Sequence, residues 1–221
     1  LNNASELAGQ LQPAGSYDTC FLTRTSFVTG RIHGHEIAWA GEELWIVNTA
    51  FSCLCTLNNE HSFVPRWRPK FIDCLAAEDR CHLNGLTIEQ HSPKYVTALA
   101  QTNTADGWRP VKNHAGCLID VASHEVVVGG LVMPHSPVVY RGNVCLLNSG
   151  VGALIRVNRL GEVDEIGRFP GYTRGLAVYH ELAVVGLSKI RETSTFGGLP
   201  ISQRARELKC GIAIVNLTTG E

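Results

Sequence analysis

The sequence predicts an all-β, β-propeller-like fold in which about four four-stranded repeats are visible. Three recurring elements predict it. A short apolar run appears as Leu44-Trp45-Ile46-Val47-Asn48, Tyr95-Val96-Thr97-Ala98-Leu99, Val144-Cys145-Leu146-Leu147-Asn148 and Leu182-Ala183-Val184-Val185-Gly186. Such runs at a period of about 40–50 residues mark propeller blades of four antiparallel strands. Their near-continuous apolarity fits strands buried between neighbouring blades. A polar turn ending in an acid recurs as Asp120-Val121-Ala122-Ser123-His124-Glu125, Val157-Asn158-Arg159-Leu160-Gly161-Glu162 and Asn216-Leu217-Thr218-Thr219-Gly220-Glu221. A polar segment leads into each repeat: His33-Gly34-His35-Glu36, His82-Leu83-Asn84-Gly85, His135-Ser136-Pro137-Val138 and Thr173-Arg174-Gly175-Leu176.

These pieces set the order within a repeat: polar lead-in and inner strand, second strand, third strand, polar turn, outer strand. The turn asks for a positive φ near its end, which Gly161 and Gly220 supply cheaply and His124 less comfortably. The outer strands are expected over 63–72, 126–132 and 163–169. Pro65 and Pro69 suit an outermost edge, where a missing amide is tolerated. The fourth repeat carries an insertion over about 190–209, whose second half is expected to form a short helix after Pro200. The chain ends at the turn where a fourth outer strand is due. One alternative is that residues 1–30, best 18–28, supply it and complete about four blades; the preferred reading is a longer propeller. Three and a half repeats do not close a ring, so the pattern predicts one domain over 1–221 that is part of a larger propeller, incomplete at both ends.

Composition narrows the function classes. The chain has 221 residues with 19 Lys plus Arg against 20 Asp plus Glu, a net charge of −1. That balance gives no general pull on nucleic acid or an anionic membrane. With 44% hydrophobic residues a sizeable core is expected. No apolar run reaches the roughly 18 residues of a membrane span, and no signal-like segment opens the chain, so a cytoplasmic location is expected. Eight Cys without any Cys-x-x-Cys pair read as free thiols, most of them packed in apolar strand-like runs. Cys53 and Cys55, two apart on a strand, share a face. Asn216-Leu217-Thr218 matches a glycosylation acceptor but sits at a strand end. No Gly-x-Ser-x-Gly elbow, dinucleotide fingerprint or phosphate loop occurs.

The lead-in segments carry the candidate chemistry. His33, His35, Glu36, His82, Asn84, His135, Ser136 and Arg174 are expected to converge on one face of the channel. There they either bind a small molecule or protein partner, or cap loop backbones in a wet channel. Imidazole and carboxylate groups also suit zinc, iron or manganese, and they serve as acid and base. Arg174, Arg191 and Glu192 form a second group, which either holds a carboxylate or phosphate or fixes the insertion through an internal ion pair. Gly197-Gly198 near the tip would suit a lid. Arg66-Trp67-Arg68-Pro69-Lys70 is the one basic cluster, and it reads first as a charge-protected edge strand.

Several segments resemble an uncharacterised, mainly bacterial family, domain of unknown function 4915. They are Val47-Asn48-Thr49-Ala50-Phe51-Ser52-Cys53-Leu54, Phe63-Val64-Pro65-Arg66-Trp67-Arg68-Pro69, Glu78-Asp79-Arg80-Cys81-His82-Leu83-Asn84-Gly85-Leu86, Met133-Pro134-His135-Ser136-Pro137 and Gly171-Tyr172-Thr173-Arg174-Gly175-Leu176, with Gly186-Leu187-Ser188 and Arg191-Glu192. The resemblance runs from about Tyr17 onward. It implies a propeller-like fold and a longer chain, and it brings no activity. Asn84-Gly85-Leu86, with Glu36, is also similar to the gluconolactonase-like propellers. That likeness implies one divalent metal ion, held by Glu36 and Asn84 with His82 and His135, in a hydrolase or lactonase; the Asp that such sites carry late in the ring has no counterpart here. The expected function is binding of a small molecule or protein at the channel face, with the metal-dependent hydrolase as the alternative.

Overall fold

The computed structural model describes residues 1–190 and 197–221. Four antiparallel sheets follow one another along the chain. The first holds β3 (Gly34–Ala40), β4 (Glu43–Asn48), β5 (Cys53–Thr56) and β6 (Val64–Trp67). The second holds β7 (Leu83–Glu89), β8 (Ser92–Ala98), β9 (Gly116–Asp120) and β10 (Val126–Leu131). The third holds β11 (Pro134–Tyr140), β12 (Asn143–Asn148), β13 (Ala153–Val157) and β14 (Val163–Arg168). The fourth has three strands, β15 (Tyr172–Tyr179), β16 (Leu182–Ser188) and β17 (Gly211–Asn216). In each sheet the strands pair in chain order, and the first strands of successive sheets touch: β3 on β7, β7 on β11, β11 on β15. This is the expected propeller-like arrangement, with the first strand of every blade innermost.

Strand alternation explains why the second and third strands are apolar on both faces. In β9, Cys117 and Ile119 pack with Val47 and Leu54 of the first blade, while Leu118 between them packs with Val144 and Leu146 of the third. In β12, Cys145 and Leu147 turn the other way, onto Ala183, Val185 and Val215 of the fourth. Each strand is shared between two cores, so neither face tolerates a polar residue without a partner. Cys53 and Cys55 lie together against Ile32 and Ile46, as their spacing predicts. All eight cysteines are free. Burial pushes the Cys53, Cys81 and Cys117 thiols up to about 12, which suits packing and not chemistry.

The polar turns are built alike. His124, Gly161 and Gly220 all have positive φ, at 63°, 79° and 79°. Asp120, Asn158 and Asn216 each accept hydrogen bonds from turn amides through a side-chain oxygen. For Asn216 this gives the Asn-Leu-Thr sequence a structural reason. Proline-bearing β6 lies at the edge of its sheet. The strand is shorter than the expected 63–72, and the basic residues in and just after it are engaged within the chain: Arg66 pairs with Glu43 at 2.5 Å, Arg68 donates to the Ile72 carbonyl, and Lys70 donates to the Ser123 carbonyl at 3.1 Å.

Two expectations change. Residues 18–28 do not complete the fourth blade: β2 (Phe21–Leu22) pairs with β1 (Asn2–Asn3), away from β17. The local reason is that the first residues fold on themselves, with a 3₁₀ helix over Ser5–Gln10, buried Ala4 and Ala8, and an Ala4 amide bond to Cys20. The helix after Pro200 forms over Pro200–Glu207 but as 3₁₀ turns kinked at Arg204. Its side of the insertion is packed down, with Leu199, Ile201 and Leu208 buried against Leu99, Trp108, Met133 and Tyr172. No helix among the described residues is long and apolar enough to cross a membrane.

Candidate functional site

The innermost strands share an irregularity that the sequence does not announce. Register shifts fall between Gly34 and Ile37, Leu83 and Gly85, His135 and Val138, and Thr173 and Leu176. Each is a bulge near the start of an innermost strand, and bulges re-aim side chains. The displaced residues are His35 and Glu36, Asn84, Ser136 and Pro137, and Arg174 and Gly175. Five of the eight expected lead-in residues therefore sit in equivalent bulges. Positive φ at Ser136 (51°) and Gly175 (83°) belongs to the same distortion.

Three imidazoles from three blades meet. The His35 ring lies 5.4 Å from that of His82 and 5.6 Å from that of His135. Arg174, from the fourth blade, donates from Nη2 to His35 Nε2 at 3.1 Å. An acceptor nitrogen facing a guanidinium must be unprotonated. Burial, then Arg174, then His82 pull the His35 pKa down to about 3. His135 is 4% exposed. Its Nδ1 donates to the Met133 carbonyl at 2.9 Å and lies 3.0 Å from Ser149 Oγ. Burial holds its pKa well below the usual histidine range. His82 Nδ1 donates to Asp79 Oδ2 at 2.8 Å, and its ring lies against Trp108 at 4.4 Å.

Glu36 accepts from the Leu86 amide at 3.0 Å through Oε2. Burial raises its pKa to about 7, against the opposing pull of that amide and of Arg174. Near neutral pH the cluster thus holds the uncharged imidazoles of His35 and His135 and a guanidinium, with the Glu36 carboxyl raised well above the usual carboxylate range.

The remaining expected residues differ. Asn84 is buried and fully engaged, its amide donating to the Pro134 carbonyl at 2.9 Å and its oxygen accepting from Thr97 at 2.6 Å. It ties the second blade to the third. Ser136 is half-buried at its bulge, and His33 is exposed on the approach to β3. Arg191 and Glu192 lie outside the described residues. Of the expected metal donors, Asn84 is engaged at both ends, and no group of three or more His, Cys, Asp or Glu placed to hold an ion occurs among the described residues.

Sequence reasoning missed Asp79, Ser149, Tyr172 and Trp108. Asp79 stands three residues before His82, and Tyr172 two before Arg174; their signals were proximity to the lead-ins and a place in the family-like segments. Trp108 lies in the unrepeated connection between β8 and β9, where no periodicity points. Near the histidines, Asp79 Oδ1, Trp108 Nε1 and Thr173 Oγ1 are buried with no hydrogen-bond partner among the described residues.

Among solved structures, the chain is similar to the computationally designed Ika4 protein, with a TM-score of 0.49 and 8% identity over 89% of this chain and 99% of that one. It is similar to a streptogramin B lyase, with a TM-score of 0.35 and 10% identity over 79% of this chain and 51% of the lyase. It is also similar to BamB from Moraxella catarrhalis, at a TM-score of 0.37 and 11% identity over 76% of this chain and 60% of BamB. The chain thus spans about half of the lyase and three-fifths of BamB. No curated protein matches the sequence. The family model described as Domain of unknown function (DUF4915) matches residues 1–221, and the chain belongs to that family.

Proposed function

We propose that the channel mouth binds a small anionic molecule carrying a carboxylate or phosphate group. The observation that carries this reading is the meeting of Arg174 with His35, His82 and His135, from four different blades, at one point. A guanidinium suits bidentate contact with a carboxylate or phosphate. The His35 and His135 imidazoles, whose pKa values burial lowers, add hydrogen bonding without a charge that would need its own counter-ion. Glu36 sets the condition: protonated it can donate to the ligand, ionised it repels it. Binding is therefore expected to tighten as pH falls from 8 to 6, by at most about tenfold per pH unit for one proton taken up.

The test is a thermal-shift series on the intact chain with inorganic phosphate, acetate, succinate and citrate. At least one anion should raise the melting temperature saturably, and Arg174→Met should abolish the rise while leaving the unliganded melt near wild type. No shift with any of them in the wild-type protein, or equal shifts in Arg174→Met, would count against the reading. A second reading, a metal-dependent hydrolase, draws on Glu36, whose raised pKa suits a general acid or base. It predicts stoichiometric divalent metal in protein purified without chelator, lost in Glu36→Gln.

A further inference from the structure

We infer that the outer rim between the first and second blades carries a docking groove for an acidic peptide segment of a partner protein. The groove is a cavity of about 550 Å³, walled by β6 and the residues just after it, with His124 of the β9–β10 turn facing them from the second blade. That volume falls within the range of ligand sites. Both sheets have all four strands, and the groove lies wholly within residues 53–124.

Edge protection accounts for only part of the basic run along this groove. β6 ends at Trp67, and Pro65 within it already removes an amide from the edge. Arg68 and Lys70 lie past that end, where there is no strand edge to protect. Both are exposed, and each donates to a main-chain carbonyl, of Ile72 and of Ser123. A carbonyl supplies no countercharge. A guanidinium has five N–H donors and an ammonium three, so each keeps donors for a ligand. Of the three cations on the groove only Arg66 pairs with a carboxylate among the described residues, that of Glu43. Two positive charges therefore stand uncompensated at one place on a chain whose net charge is −1.

The walls between those charges are apolar and fixed. The Trp67 ring stacks on His124 at 5.3 Å with the planes 25° apart, and its Nε1 donates to the Val121 carbonyl at 2.8 Å. These contacts lock the two blades together at the groove, so it exists before any partner arrives. Leu75 is 44% exposed on the rim, above buried Ile72. The matching occupant carries carboxylates for Arg68 and Lys70 and an apolar side chain for Leu75. An acidic peptide with one aliphatic residue has both. An inorganic anion would use the cations and leave the apolar wall uncovered. A nucleic-acid strand binds through successively stacked bases, and the indole here already stacks on His124. Because Pro65 gives no amide, side chains rather than strand pairing hold the peptide.

Fluorescence anisotropy of a labelled short peptide of Asp and Glu with one central Leu, titrated with the full chain, tests it. Binding should saturate and should weaken steadily as salt rises from about 50 to about 300 mM. Arg68→Glu/Lys70→Glu, with wild-type far-ultraviolet dichroism, should bind about tenfold or more weakly. Lys70→Glu alone leaves the Arg68 contact with Ile72 in place and should weaken binding in the same direction. Two peptide controls need no variant to fold. Asn and Gln in place of Asp and Glu should abolish binding, and Gly in place of the Leu should weaken it several-fold. Absence of saturable binding at low salt overturns the inference. So does equal binding of the uncharged peptide, or undiminished binding by the folded double variant. Displacement of the peptide by inorganic phosphate or by single-stranded DNA of matched charge, as effective as by the unlabelled peptide, would assign the groove to another anion and overturn it too.

Discussion

Glu36 and Asn84, in the bulges of successive blades, show how two polar residues do different work. Asn84 is 1% exposed and joins Thr97 to the Pro134 carbonyl. Asn84→Ala removes both bonds and leaves buried partners unsatisfied, which should cost about 2 kcal/mol in chemical denaturation. Glu36 titrates instead. Its folded pKa of about 7 lies above the ordinary value of 4.5, so the native state holds a proton that the unfolded chain has lost. Stability from this group is present below pH 4.5 and is lost as pH rises through 7. Glu36→Gln should therefore melt higher than wild type at pH 8 and differ little at pH 4.5. His35 has the opposite sign. Its pKa falls from 6.5 to about 3, so its contribution is complete above pH 6.5 and disappears as pH falls toward 3. His35→Gln should flatten the acid limb of a melting-temperature profile.

At the scale of the element, the strands were legible and the bulges were not. Near-continuous apolar runs and three similar turns placed the second strands, the third strands and the outer edges, because burial on two faces leaves a direct mark on composition. The turn geometry followed from Gly161 and Gly220, and it held even at His124. A bulge leaves a weaker mark: one extra residue in a polar stretch looks like loop. The lead-ins revealed which residues gather, but not that Asn84 is consumed by packing while Arg174 reaches His35. Gly85 records the tightness of that region. A Cβ there would meet Thr97 Oγ1 at 2.3 Å and Pro137 Cδ at 2.5 Å. Gly85→Ala should destabilise by roughly 1–3 kcal/mol and displace the β11 bulge. If the anion site depends on that bulge, this variant should also weaken the thermal shift, although Gly85 touches no proposed ligand.

For the whole molecule, four blades curve tightly enough that Arg174 of the last touches His35 of the first. The flanks behind that contact remain open, with Trp39 and Ile214 about two-thirds exposed. Long-range repeats made the blade order readable from sequence. The fate of residues 18–28 was not readable, because it depends on the first residues folding locally, and they carry no repeat. The same tight curvature concentrates four blades' polar lead-ins at one mouth, which is what makes a small binding site possible there. The most direct measurement is a nuclear magnetic resonance titration of the histidine ring signals with inorganic phosphate and with citrate. The account predicts saturable shifts of the His35, His82 and His135 signals, with His124 and His180 in their distant turns unmoved, and loss of the response in Arg174→Met. Unchanged channel signals, or equal shifts at all the histidines, would contradict it.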